Sequence, residues 1–415
     1  MTRRISALLL SFAISSPPGA AQFVPGDLYI GSDTHIYRID PLTWKASTFA
    51  DATDGLTSAS SVAFSPLGTL LCANFSPAEV FEFDSGGTGT VVLDASDGLS
   101  GPLGESGLAY DSLGDLYICD YLQDAIIMAP AGGGQPLVFA DSSDGLSWPI
   151  GLSFSRDDVL YIANCSGKNI LTADTSGNVV EFDKVPDRPF SVAVRRNGDV
   201  YALTWDAPGT TVYRYPGGDA TQRAVLAFFP TLFGGGAIQL SLDDASLYLT
   251  SYGAGNLVVI GAESGAYSEV IAPGGLIAPA AITIAGSQFR ASWSNYGAGL
   301  PGTSGVPSFA PQADPILGTS LSVILSNSYG QPTFGLVLLG FQRANIHSAL
   351  GGTLFLVPTL AMPVTFSFGS DTFAWTLPAD PSFAGVAVMA QALEADPGAI
   401  KGVSFTEGLE FLLGY

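Results

Sequence analysis

Positive charge is what this sequence most conspicuously lacks: 15 Lys and Arg stand against 37 Asp and Glu in 415 residues, a formal net charge of −22. Binding of nucleic acid through a basic patch is thereby excluded, because phosphate neutralisation needs clustered Lys and Arg, and only four Lys occur. Histidine is almost missing, so a His-based catalytic triad has little to be built from; His35 remains as a lone candidate base, and His347 lies far along the chain. Cys72, Cys119 and Cys165 are an odd set that cannot complete a disulfide framework, and buried thiols are the simpler reading. Charged residues of both signs make up 13% of the chain, about half the usual share of roughly a quarter. Long apolar runs are absent too. Pro358 and Pro363 interrupt the best candidate, Leu354 to Phe368, before it reaches the ~18 residues a spanning helix needs. No transmembrane segment is expected.

What is abundant is glycine, 50 residues, within a chain that is 47% hydrophobic, a combination that suits turn-rich β structure. Residues 1–22 read as an export signal: Arg3 and Arg4, the apolar run Ile5 to Ile14, and a small-residue exit at Gly19, Ala20 and Ala21. A secreted, periplasmic or surface location follows as the expectation.

Residues 23–286 carry an internal repeat. A strand phrase recurs as Leu28-Tyr29-Ile30, Leu70-Leu71-Cys72, Leu116-Tyr117-Ile118, Leu160-Tyr161-Ile162, Val200-Tyr201-Ala202 and Leu247-Tyr248-Leu249, at a period in the forties. A second phrase precedes five of them: Val62-Ala63-Phe64, Leu108-Ala109-Tyr110, Leu152-Ser153-Phe154, Val192-Ala193-Val194 and Leu240-Ser241-Leu242. Turn sequences such as Ser65-Pro66-Leu67-Gly68 separate the two, so each unit opens with a hairpin. The sixth leading strand, Ala281 to Ile284, has no partner after it, and the strand at Tyr29 has none before it. Pairing these two closes a ring and removes the free sheet edge, which predicts a six-bladed β-propeller.

These phrases resemble the NHL-repeat propellers, best in Pro149-Ile150-Gly151-Leu152-Ser153-Phe154 followed by Leu160-Tyr161-Ile162-Ala163-Asn164. The resemblance implies the architecture rather than an activity, because that architecture hosts binding, scaffolding, lactonase and lyase functions. Propellers similar to gluconolactonase place metal-binding Asn and Asp just before the Gly of the leading strand. Here those slots hold Ser60, Ser106, Ile150, Phe190, Ile238 and Ala280, with Glu105 one residue displaced. A hard cation needs several oxygen ligands, so a metal is not expected in that manner.

Three positions after each second-strand anchor stands a polar residue: Ser32, Asn74, Asp120, Asn164, Thr204 and Ser251. Two readings are open. Each side chain caps a turn through local backbone bonds, or the set forms a ring at one face in which the consecutive Asn74, Asp120 and Asn164 are the hydrogen-bonding floor of a ligand pocket and Trp148 and Trp205 its walls, with the displaced Glu105 as a further binding candidate. A further repeat, Asp51-Ala-Thr-Asp54-Gly-Leu, Asp94-Ala-Ser-Asp97-Gly-Leu and Asp141-Ser-Ser-Asp144-Gly-Leu, suits either a tight turn between blades or a weak calcium site on paired carboxylates.

After a Gly, Ser and Pro-rich stretch, 287–307, residues 308–415 alternate apolar strands with turns and predict a small antiparallel β-sandwich. Tyr296-Gly297-Ala298-Gly299, Leu338-Leu339-Gly340-Phe341 and Gln391 to Gly398 resemble a C-terminal module found on secreted proteins of planctomycetes and similar bacteria, which implies attachment, export or surface display. The combined expectation is an exported monomer, all-β, a six-bladed β-propeller followed by a β-sandwich. It would bind a small molecule, glycan or protein without catalysis, and would require no cofactor beyond possible calcium. The alternative is a divalent-metal-assisted hydrolase or lyase using Asn74, Glu105, Asp120 and Asn164.

Overall fold

The computed structural model describes residues 23–206, 209–232, 234–289, 291–380 and 383–414. The expected export signal, residues 1–22, lies outside them. The chain divides into two compact units between Gln288 and Phe289. Among the described residues all regular structure is strand or short 3-10 turn, and no helix is long and apolar enough to cross a membrane.

The first unit contains six four-stranded antiparallel sheets. In chain order, five of them are built from consecutive strands; the second sheet, for example, runs Ala59–Phe64, Leu70–Asn74, Glu79–Phe83 and Gly89–Leu93. The remaining sheet, the first, takes its leading strand, Pro279–Ile284, from the end of the unit and sets it against Leu28–Ser32, with Tyr29 opposite Thr283 and Ile30 opposite Ile282. The first and last strands of the unit thus share one sheet, as a closed ring requires. The leading strands also touch in cyclic order, each beside the next and the sixth beside the first. This is a β-propeller fold.

The alternation of the second strands explains the packing. In Leu116–Asp120 every residue is buried, because both faces of that strand are covered by neighbouring sheets. Tyr117, Cys119 and Ile126 of the third sheet form one apolar cluster with Leu152, Phe154, Leu160 and Ile162 of the fourth, and Tyr117 meets Phe154 edge to face at 4.9 Å. The core therefore lies between sheets. Cys72, Cys119 and Cys165 are free and buried within it, and desolvation pushes all three thiols up. The hairpins turn where expected, with Gly68, Gly114 and Gly198 at φ of 85, 86 and 90°.

The second unit is antiparallel as well. A sheet ordered Ser292–Tyr296, Gly408–Leu412, Ala387–Ala395, Thr333–Gly340, Leu360–Phe366 and a three-stranded sheet of Phe309–Pro311, Ser320–Ser326 and Ser370–Thr376 share one apolar cluster, including Val337, Phe366 and Phe411 with Val323 and Phe373. Ser292–Tyr296 belongs to the segment read as a linker from its Gly, Ser and Pro content; its pairing with Gly408–Leu412 draws it into the sheet.

Candidate functional site

The three Asp-x-x-Asp-Gly-Leu repeats each fold as a one-turn 3-10 segment between the outer strand of one sheet and the leading strand of the next. Asp51, Asp94 and Asp141 are N-caps, Asp54, Asp97 and Asp144 return the bond to the cap amide, and Gly55, Gly98 and Gly145 close the turn at φ of 97, 97 and 92°. Leu56, Leu99 and Leu146 then plug the core. Hydrogen bonds from Thr53, Ser96 and Ser143 hold Asp51, Asp94 and Asp141 below the usual carboxylate range. These carboxylates are already engaged, so calcium would have to compete with the capping amides. They do not form a ready cation cage.

The six polar residues at the ends of the second strands are fully buried, at 0 or 1% exposure. Three of them anchor the turns just described. Asn164 accepts from the Ser147 amide at 2.6 Å and donates to the Gly145 carbonyl at 3.1 Å. Asn74 accepts from the Thr57 amide at 3.2 Å and donates to the Gly55 carbonyl at 3.3 Å. Asp120 accepts from the Ser100 and Gly101 amides at 3.1 and 3.2 Å. Ser32 donates to the Ile277 carbonyl, Thr204 to the Thr211 carbonyl at 3.4 Å, and Ser251 ends the second strand of the sixth sheet. The two repeated motifs of the sequence are thus one device: a buried amide or carboxylate pins the inter-sheet turn. Oxygens bound to loop amides make no ring for a divalent ion, and among the described residues no group of three or more His, Cys, Asp and Glu is placed to hold one. A lactonase-like metal centre does not fit these residues.

One place breaks the pattern. In the first, second, fourth and fifth sheets the leading strand advances two residues while its partner advances one, leaving Ala280, Ser60, Ile150 and Phe190 as single bulges. In the third sheet, Leu103 faces Asp120 and Leu108 faces Ile118, so five steps oppose two. The surplus is three rather than one, and the two additional residues put Gly104-Glu105-Ser106-Gly107 outside the ladder. Both glycines are required: a Cβ on Gly104 would lie 2.9 Å from Ile150 Cα, and one on Gly107 2.8 Å from Cys119 Cβ. Ser106 has φ of 56°, in the left-handed region. Glu105 is half-buried as a residue, yet its Oε2 and the Ser106 Oγ are sealed from solvent and, among the described residues, have no hydrogen-bond partner. Desolvation pushes the Glu105 carboxyl up to about 7.

Aromatic side chains gather at this end of the ring. Phe75 stacks on Tyr121 at 5.6 Å, and Tyr121 meets Trp148 edge to face at 5.6 Å. Trp148 has a left-handed backbone, φ 52°, donates its amide to Asp124 at 2.7 Å, and is 44% exposed. The Trp148 carbonyl accepts from the Cys165 amide at 3.0 Å. The Cys165 thiol is raised to about 11, by burial first, with Arg188 and Lys168 opposing and Glu105 reinforcing. Arg188 lies over the Trp205 ring at 5.0 Å, and the buried Trp205 Nε1 has no partner among the described residues. Burial, then the Glu105 charge, raises the Tyr121 hydroxyl.

The structure joins Trp148 to Tyr121 and Trp205 to Arg188, and the Glu105 charge acts on Tyr121 and Cys165; this region is termed the mouth, and Asn74, Asp120 and Asn164 are bonded to the turns beside it. The sequence reading missed Phe75, Tyr121, Cys165 and Arg188. A signal was present: the residues immediately after the polar set are Phe75, Tyr121, Cys165, Trp205 and Tyr252 in consecutive repeats. His35, by contrast, stacks on Tyr37 at 5.7 Å, and His347 is exposed.

No protein-family model matches the chain, and no curated protein matches it. Among solved structures, a chain of a nidogen/laminin complex is similar over 63% of this chain and 99% of its own, at 20% identity and a TM-score of 0.54. A putative gluconolactonase matches over 58% and 86% at 13% identity and a TM-score of 0.47. A Xanthomonas campestris gluconolactonase matches over 62% and 89% at 19% identity and a TM-score of 0.45. At these identities the likeness is one of fold alone, that of a β-propeller.

Proposed function

We propose that the chain is an exported six-bladed β-propeller, carrying a C-terminal β-sandwich for attachment or display, that binds a ligand or protein partner without catalysis at the mouth around Glu105. One observation carries this reading: a local insertion in a single sheet holds a buried carboxylate oxygen with no partner among the described residues, and its charge acts on Tyr121, which packs against an exposed tryptophan. Unsatisfied buried polar atoms and left-handed non-glycine residues weaken a fold, and they persist where another purpose holds them. The turn anchors and the Asp caps carry structure. The mouth carries none that the other five sheets need.

The test is a thermal-shift and tryptophan-fluorescence screen of the full chain against neutral, cationic and anionic small molecules, repeated with Glu105→Ala and Trp148→Ala. At least one chemical class should raise the melting temperature of the native chain and lose that effect in both variants. Hits that survive both substitutions would place binding elsewhere and sink the proposal.

A further inference from the structure

The ligand's chemistry follows from what the mouth leaves unfilled. Glu105 Oε2 is an acceptor without a donor, so its complement brings an N–H or O–H group. The protein's own nearby cations do not supply it. Lys168 is held by Asp206 Oδ2 at 3.2 Å and the Pro186 carbonyl at 3.4 Å, and Arg188 is seated on Trp205. Arg188 also shows that this mouth already accommodates one cation on an aromatic face. Among the described residues, the Phe75, Tyr121 and Trp148 row, whose middle member feels the Glu105 charge, carries no such cation. The neighbouring acids are engaged, Asp120 by the Ser100 and Gly101 amides and Asp124 by the Trp148 amide, so a single carboxylate is left to be matched. A net charge of −22 favours the approach of cations over anions.

We propose that the mouth binds an organic monocation, an ammonium or guanidinium with N–H groups on an apolar body, the cationic head bonded to Glu105 and the body against Tyr121 and Trp148. This rests on the reading of the mouth as the ligand site and names the class of ligand.

Benzylamine is the probe, titrated calorimetrically into the full chain at pH 8, with benzyl alcohol, benzoate, benzyltrimethylammonium and methyl β-glucoside as comparisons. Benzylamine should bind one site saturably. Benzyl alcohol, which loses the charge, and benzyltrimethylammonium, which loses the N–H, should each bind about ten-fold more weakly or worse. Benzoate should not bind. Glu105→Gln, which keeps shape and removes charge, should weaken benzylamine about ten-fold and leave benzyl alcohol little changed, while Trp148→Ala should weaken both. Circular dichroism of both variants, compared with the native chain, checks that they fold. Should benzyl alcohol or the glucoside bind as well as the amine and lose affinity in Trp148→Ala, the cation inference falls and the mouth reading stands. Should benzylamine bind equally to native chain and both variants, both fall. Absence of saturable amine binding at millimolar concentration overturns the cation inference alone.

Discussion

Replacing Glu105 by Gln should stabilise the protein at pH 8 and leave it nearly unchanged at pH 4.5. The carboxyl has an ordinary value of 4.5 and is raised by desolvation to about 7 in the fold. Below 4.5 the group is protonated in both the folded and unfolded chains, so it makes no difference. Between 4.5 and 7 the folded chain holds a proton that the unfolded chain has released, and stability falls as pH rises. Above 7 both forms are ionised, and the full penalty of a carboxylate in a desolvated site is present. At 1.36 kcal/mol per unit the penalty reaches about 3 kcal/mol, a ceiling because the residue is partly exposed. Glutamine carries no such charge. Urea unfolding of the full chain and of Glu105→Gln, each at pH 4.5 and 8, isolates the effect, since every other titrating group is common to both proteins. The variant should gain roughly 2 to 3 kcal/mol at pH 8 relative to the difference at pH 4.5. A difference that is the same at both pH values, or a variant less stable at pH 8, would refute the desolvation argument.

Other consequences are more local. Asn164→Ala should destabilise the chain by about 2 kcal/mol in chemical unfolding, because the buried Asn164 side chain no longer pins the Ser147 amide and the Gly145 carbonyl; an unchanged midpoint would mean that water replaces the side chain. Asp94→Ala should lower the melting temperature equally in calcium and in EDTA, since Asp94 and Asp97 act through the capping box, whereas a loss seen only with calcium would restore a metal to that turn. In the second unit Asp396 is pushed up by burial but held below its ordinary 3.8 overall by bonds from the Thr303 hydroxyl and amide, Ser328 and Gly398. Its contribution is therefore present above pH 3.8 and lost as pH falls below it, so the native chain's advantage over Asp396→Asn should vanish in acid; persistence at pH 2 would contradict the sign.

The propeller was legible because it is periodic. Tyr29, Tyr117, Tyr161, Tyr201 and Tyr248 recur on strands that need the same two-sided burial, and the unpaired halves at Tyr29 and Ile282 named their own partner. Asn74, Asp120 and Asn164 were legible as a set for the same reason, but periodicity could not say where they point. Only the register places them against the turns of Gly55, Ser100 and Gly145. The mouth was the least legible part, since it depends on an exception. Gly104 to Gly107 reads in one dimension as a slight misalignment of Glu105, and only the pairs on either side, Leu103 with Asp120 and Leu108 with Ile118, turn it into an insertion. Arg188 and Trp205 meet through strand pairing across the fifth sheet, with no motif to announce it.

The most direct measurement removes the exception. Deleting Glu105 and Ser106 shortens the third leading strand to the single-bulge length of its siblings, and the deleted chain is compared with the native one for melting temperature and for benzylamine binding. The account predicts a folded protein at least as stable as the native chain at pH 8, with binding abolished. A deletion that prevents folding, or one that folds and still binds the amine, would contradict the assignment of this bulge to function.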